Sequence, residues 1–247
     1  MNDNIRLEFD NKINRLTKSK VYLDFCEEVY GYRMYLFNMM DKEQLDFIFK
    51  SIPLSPADTL LDLGCGSGSI LNALVKKSGC SGVGIDQLDS DTVEIDNENA
   101  QYINGDIDSI SSFHLKQTVT LFIDSIYFSS SPEMLLEYLC GKKNNKIYLF
   151  YSQYLLNENV ADKNVLQGNF TKVANILKGI KVPYEIIEYS ENERLLYEKS
   201  LNSLKKREDD FIIEGNQDLY EDKLKEQIMG KQLYDTGNAS RYLYIIG

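Results

Sequence analysis

Apolar and polar positions along this chain follow two rhythms, and each change of rhythm marks an element. A short apolar run at 60–63, broken only by Asp62, reads as a buried strand, and three glycines at alternate positions follow it, Gly64, Gly66 and Gly68. Ile70, Leu71, Leu74 and Val75 then recur at helical spacing. Further strand patterns lie at 82–86, 101–104, 118–128, 146–151, 182–189 and 241–247, the last rich in β-branched and aromatic residues. Helical patterns fall at 132–139, 170–177, 191–207 and 217–230, and the Ser131-Pro132-Glu133 sequence caps the first of them.

Residues 1–50 read as helical. Asp41 followed by Gln44 makes a start resembling a capping box, with Leu45, Ile48, Phe49 and Ile52 on one face. Ahead of it, 21–37 gathers Tyr22, Phe25, Tyr30, Tyr32, Tyr35 and Phe37, a density usual for a core. The stretch 190–240 separates the last two strands without linker composition, and an insertion of that kind commonly forms a lid or a substrate-binding element. No internal repeat or low-complexity tract interrupts the chain.

The glycine-rich turn is built for a backbone that passes close to a small ligand. A dinucleotide fingerprint would need its third glycine at position 69, which is Ser69; here that glycine comes one residue early, and Asp62 stands two residues before the turn. The string Asp62-Leu-Gly64-Cys65-Gly66-Ser-Gly68 resembles motif I of the class I S-adenosylmethionine-dependent methyltransferases. A purely structural bend is the alternative, and the next segments weigh against it. The strand at 82–86 ends in Asp86 followed by Gln87, Gly105-Asp106-Ile107 follows the third strand, and the fourth run carries Asp124, Ser125 and Tyr127 at its end. A hairpin at Asn104-Gly105 would need an alternating partner strand immediately afterwards, and none follows.

The resemblance covers 22–150 by motif order and the remainder by strand pattern. It implies an α/β fold, a Rossmann-like doubly wound seven-stranded sheet of order 3-2-1-4-5-7-6 with the last strand antiparallel. It also implies one domain made of an N-terminal helical cap (1–50), a cofactor-binding core (51–189), a helical insertion or lid (190–240) and the last strand (241–247). The implied cofactor is S-adenosyl-L-methionine, leaving as S-adenosyl-L-homocysteine. Its contacts would be Asp62, Gly64, Cys65, Gly66 and Gly68 in the first turn, Asp86 at the ribose hydroxyls with Gln87 near the adenine, and Asp106 at the adenine amino group with Ile107 packed on the ring. Asp124 would touch the cofactor's amino group or the acceptor, and Asp124 with Tyr127 would orient the acceptor as the catalytic pair. Tyr22, Tyr30 and Arg33 of the cap and Glu214 of the insertion are the candidate substrate contacts.

Composition narrows the partners. The 247 residues carry 27 Lys and Arg against 38 Asp and Glu, a formal charge of −11. No basic face is visible beyond Lys205-Lys206-Arg207, and the Asn-Pro-Pro-Tyr type motif of amino-methylating nucleic-acid enzymes is missing, so nucleic acid is not the expected substrate. Cys26, Cys65, Cys80 and Cys140 form no CxxC pair, which fits a reducing compartment. No run approaches eighteen apolar residues and residues 1–20 lack the apolar core of a signal peptide, so a soluble, cytoplasmic protein without a membrane span is expected. The single histidine, His114, precedes the fourth strand, at the end away from ligands in such sheets, and no second histidine supports a metal site.

The reading is therefore methyl transfer to a nitrogen or oxygen of a small-molecule acceptor by in-line displacement, in which the protein positions the acceptor and excludes water. A protein methyltransferase and a non-catalytic S-adenosylmethionine-binding protein are the alternatives. The acceptor and the oligomeric state are left open.

Overall fold

The structure is a computed structural model that describes residues 3–89, 92–93, 96–156 and 162–247. Three helices come first, α1 (Asp3–Leu16), α2 (Lys20–Tyr30) and α3 (Lys42–Ser51). The strand and helix alternation follows: β1 (Thr59–Leu63), α4 (Ser69–Ser78), β2 (Ser81–Asp86), β3 (Ala100–Asn104), β4 (Val119–Ile123), α5 (Pro132–Cys140), β5 (Lys146–Tyr154), α6 (Lys172–Gly179) and β6 (Tyr184–Glu188). Helices α7 (Ser190–Lys206), α8 (Glu208–Ile213) and α9 (Gln217–Asp235) then lead into β7 (Ala239–Ile246).

The seven strands form one sheet of order β3-β2-β1-β4-β5-β7-β6. Strands β1 to β5 are parallel, and β7 runs antiparallel to both β5 and β6. This is the sheet expected from the resemblance. Alternate residues of each strand feed two cores: Leu60, Leu121, Phe150 and Leu243 face one made with α2, α3, α4 and α7–α9, whereas Leu61, Phe122, Leu149 and Tyr244 face the other, made with α5 and α6.

Several boundaries differ from the pattern. The fourth run does not continue as a strand to Phe128: β4 stops at Ile123 because Asp124 takes a left-handed φ of 53°, and 126–128 close into a 3₁₀ turn. β5 extends to Tyr154 and β7 begins at Ala239, so that eight residue pairs join them. In the pairing at the start of α3, the Asp41 carboxylate accepts from the Gln44 N–H at 2.9 Å, as a cap should. The Gln44 side chain does not reach back to the Asp41 backbone; its amide donates to the same carboxylate and its carbonyl oxygen serves elsewhere.

The insertion acts on the cap. Arg15 of α1 makes two 2.7 Å contacts to the Asp218 carboxylate and also donates to the Gly215 carbonyl, while Lys12 pairs with Asp222. Glu214 accepts from the Ser19 hydroxyl at 2.5 Å and from the Val21 N–H at 3.0 Å, which ties the α8–α9 turn to the start of α2. Among the described residues no helix is long and apolar enough to cross a membrane.

Candidate active site

The carboxyl ends of β1, β2 and β4 meet at a cavity of about 370 Å³. Its floor is the turn after β1, whose shape depends on glycine. At Gly64, with φ 74°, a Cβ would stand 2.3 Å from the Cβ of Ser125, whose hydroxyl bonds the Leu63 carbonyl. At Gly66, with φ 57°, a Cβ would meet nothing within 4 Å. The second glycine lines the cavity, so open space lies where its side chain would be. Residues Tyr35 to Asn38, in the connection between α2 and α3, together with Asp10 and Ile13 of α1, provide the cover.

Three carboxylates surround the turn. Asp62 is 2% exposed and its Oδ1 has no hydrogen-bond partner among the described residues. Burial, and secondarily the charge of Asp86, push its carboxyl up to about 7. Asp86 accepts from the Gly66 N–H at 2.8 Å and from the Leu88 N–H at 3.0 Å, which fixes its carboxylate at the end of β2. Asp106 accepts from the Asp108 N–H at 2.9 Å and caps a 3₁₀ turn, with Ile107 buried behind it. Cys65 and Gln87 line the same space. Burial beside these acids pushes the Cys65 thiol well up, so it stays protonated.

Asp124 also lines the cavity but is engaged from behind. Its Oδ1 accepts from Arg241 Nη1 at 2.7 Å, and its Oδ2 accepts from Arg241 Nη2 at 3.1 Å and from the Met39 N–H at 2.8 Å. Arg241 is fully buried; its Nε donates to the Gln44 side chain at 2.6 Å and its Nη1 to the Ser152 hydroxyl at 2.8 Å. Glu193, equally buried, lies 3.6 Å from Nη1 and accepts from Ser152, Tyr154 and Tyr234. One buried cation is thus shared between two carboxylates, each with further donors, as burial of such a group demands.

The structure places the other candidates away from the cavity. The Tyr127 hydroxyl exchanges hydrogen bonds with the backbone of Ser152, accepting from its N–H at 2.6 Å and donating to its carbonyl at 3.1 Å, and its ring stacks on Tyr151. Tyr22 is core: its hydroxyl donates to the Leu36 carbonyl and its ring stacks on Phe25, Tyr35 and Phe37. Tyr30 is fully buried. Arg33 is outside, paired with Asp24 and Glu27, and Glu214 caps α2 as described. Among the described residues, none that lines the cavity comes from 190–240, so the cover belongs to the cap and the insertion braces it. His114 sits in an exposed turn after the 3₁₀ segment.

Residues that the sequence did not single out complete the site. Asp10, Phe128 and Ser130 line the cavity, Arg241 holds Asp124, and Glu193 and Gln44 hold Arg241. A signal existed for the buried pair: Arg241 alternates with Leu243 and Ile245 on one face of a strand, and Glu193 shares a helical stripe with Leu196, Tyr197 and Ser200.

The methionine biosynthesis protein MetW family matches residues 42–143. No curated protein sequence matches the chain. Among solved structures, phosphoethanolamine N-methyltransferase 2 from Haemonchus contortus, in complex with S-adenosyl-L-methionine, superposes with a TM-score of 0.72 at 12% identity, over 96% of this chain and 59% of that one. The chain therefore spans little more than half of that enzyme. The cyclopropane synthase MmaA2 from Mycobacterium tuberculosis gives 0.70 at 13% identity, over 96% of this chain and 97% of that one. A methyltransferase from Geobacter sulfurreducens in complex with S-adenosyl-L-homocysteine gives 0.58 at 13%, over 91% and 97%. With strand order, glycine turn and these superpositions together, the chain has the fold of the class I S-adenosylmethionine-dependent methyltransferases.

Proposed function

We propose that this cavity binds S-adenosylmethionine and that the protein transfers its methyl group to a nitrogen or oxygen of a small-molecule acceptor. The observation that carries the reading is the pairing of a buried carboxylate oxygen on Asp62, without a hydrogen-bond partner among the described residues, with open space at Gly66, both on one cavity wall. An adenosyl amino acid with positive charge fits that wall. Asp86 would hold the ribose hydroxyls, Asp106 the adenine amino group with Ile107 against the ring, and Asp62 would offset the ligand's positive charge. Relatives of the same fold that were crystallised with S-adenosylmethionine or S-adenosylhomocysteine support the choice. When bound, the sulfonium supplies a methyl carbon whose leaving group is already activated by charge.

The chain's own work is to hold, align and dry the reactants. The backbone N–H groups of Gly66 and Leu88 orient Asp86, and the Arg241 fork and the Met39 N–H orient Asp124. We place the protein in a reducing, cytoplasmic setting, since its four cysteines are unpaired. A non-catalytic binder is the competing reading, favoured by the engagement of Asp124 and Tyr127 within the protein. Calorimetric titration with S-adenosylmethionine and S-adenosylhomocysteine tests the premise: both should bind, Asp86→Ala should abolish binding, and a silent wild-type titration refutes it. Consumption of the methyl donor over a panel of amines, phenols and carboxylates then separates enzyme from binder.

A further inference from the structure

The insertion gives no described residue to the cavity wall, yet one of its side chains stands behind that wall. Glu193 projects from α7 among hydroxyls: Ser152 donates to its Oε2 at 2.6 Å, Tyr234 to the same oxygen at 2.7 Å and Tyr154 to Oε1 at 2.7 Å. Tyr234 belongs to α9, the helix whose Asp218 and Asp222 hold α1. One carboxylate of the insertion therefore gathers α7, α9 and β5.

From there the contacts run on to the cavity without a break. The Ser152 hydroxyl has a single proton, which goes to Glu193, so a lone pair is left to accept from Arg241 Nη1 at 2.8 Å. The same Nη1 donates to Asp124 Oδ1 at 2.7 Å, and Asp124 Oδ2 accepts from the Met39 N–H at 2.8 Å, next to Asn38 of the cover. A second branch leaves the same serine: its backbone holds the Tyr127 hydroxyl, and the following residue, Phe128, lines the cavity.

Stability alone does not call for this arrangement. Glu193 and Arg241 are both fully buried, and apolar side chains of the same volume commonly match a buried ion pair in stability. What apolar side chains do not supply is direction. Each hydroxyl around Glu193 donates to one particular oxygen, so a shift of α7 or α9 must re-aim Ser152 and, with it, the Arg241 fork.

We propose that Glu193 is a positioning residue of the cavity, acting through Ser152 and Arg241 on Asp124 and on the Met39 end of the cover, so that the packing of the insertion sets how tightly ligand is held. The assignment deepens the cofactor reading above and rests on it for the affinity measurement. A second measurement, amide hydrogen exchange at Met39, needs no ligand.

The experiment compares two hydroxyl deletions in the full chain, Ser152→Ala and Tyr154→Phe. Each removes one donor to Glu193, but only Ser152 lies between Glu193 and Arg241. Ser152→Ala should weaken S-adenosylhomocysteine binding by about fivefold and speed exchange of the Met39 N–H by about fivefold without ligand, whereas Tyr154→Phe should leave both unchanged. Glu193→Gln, which keeps the shape and drops the charge, should weaken binding in the wild-type background and add nothing to Ser152→Ala. It also takes the place of Ser152→Ala in the comparison if that variant does not fold. Equal effects of the two deletions, or additive losses in the double variant, overturn the assignment. If the wild type does not bind S-adenosylhomocysteine the cofactor reading falls, and exchange at Met39 still decides: faster in Ser152→Ala than in Tyr154→Phe supports the positioning role, and equal rates refute it.

Discussion

Arg241 and Asp124, 117 positions apart in sequence, meet fork to fork, with Nη1 2.7 Å from Oδ1 and Nη2 3.1 Å from Oδ2. Through Asp124 the pair reaches the Met39 N–H, and through Gln44 it reaches the first turn of α3. A strand end, the last strand and the cap are thereby joined behind the cavity, and the position of its cover is set from inside the protein.

Asp124→Asn tests that junction. Asparagine accepts a positive φ as readily as aspartate, so the backbone is not the variable. Among the described residues, Arg241 would keep only Glu193 as a charged partner, at 3.6 Å. Loss of one partner of a buried pair should cost on the order of 3 kcal/mol in a urea titration, with weaker S-adenosylhomocysteine binding as the cover loosens. An unchanged unfolding midpoint would show the pair to be dispensable.

Asp62 should give the ligand-free protein an unusual pH profile. Burial pushes its carboxyl up to about 7 from an ordinary 3.8, so between these values the native state holds a proton that the unfolded chain has released. Stability from this group is present at the acid end and is lost as pH rises through 7. Urea midpoints should therefore fall between about pH 5.5 and about pH 8, and Asp62→Asn should flatten that fall. A positively charged ligand should recover more stability at the alkaline end, where the carboxylate is ionised.

Gly64 and Gly66 should respond differently to alanine. At Gly64 the new Cβ collides with Ser125 at 2.3 Å, so Gly64→Ala should lower the melting temperature strongly. At Gly66 the Cβ meets no protein atom, and the cost to folding should be only the backbone strain of about 1–2 kcal/mol. Gly66→Ala should instead lose S-adenosylmethionine binding by more than its stability suggests. Equal effects on both measurements at both positions would remove the distinction.

The wall of the cavity around the glycine turn was legible because its parts are local. Asp62, Gly64, Gly66, Asp86 and Asp106 each stand at the end of a short apolar run, and parallel strands bring such ends together whatever the remaining sequence. The opposite wall was not, because it depends on pairings between distant segments. Tyr22 and Tyr30 share an aromatic stretch with Tyr35 and Phe37, yet only the latter two face the cavity; the others are turned into the core by α2. Asp124 was found by position, but its engagement was hidden in an arginine on β7. Glu214 was expected to meet the substrate, whereas the α8–α9 turn folds onto the start of α2 and Glu214 bonds Ser19 and Val21 there.

Strand β7 follows every other element in sequence and yet slots between β5 and β6, carrying Arg241 with it. During synthesis, the first five strands can leave the ribosome and pair while the guanidinium that anchors Asp124 is still untranslated. Order behind the cavity should thus arrive late and abruptly, only once β7 has emerged and paired.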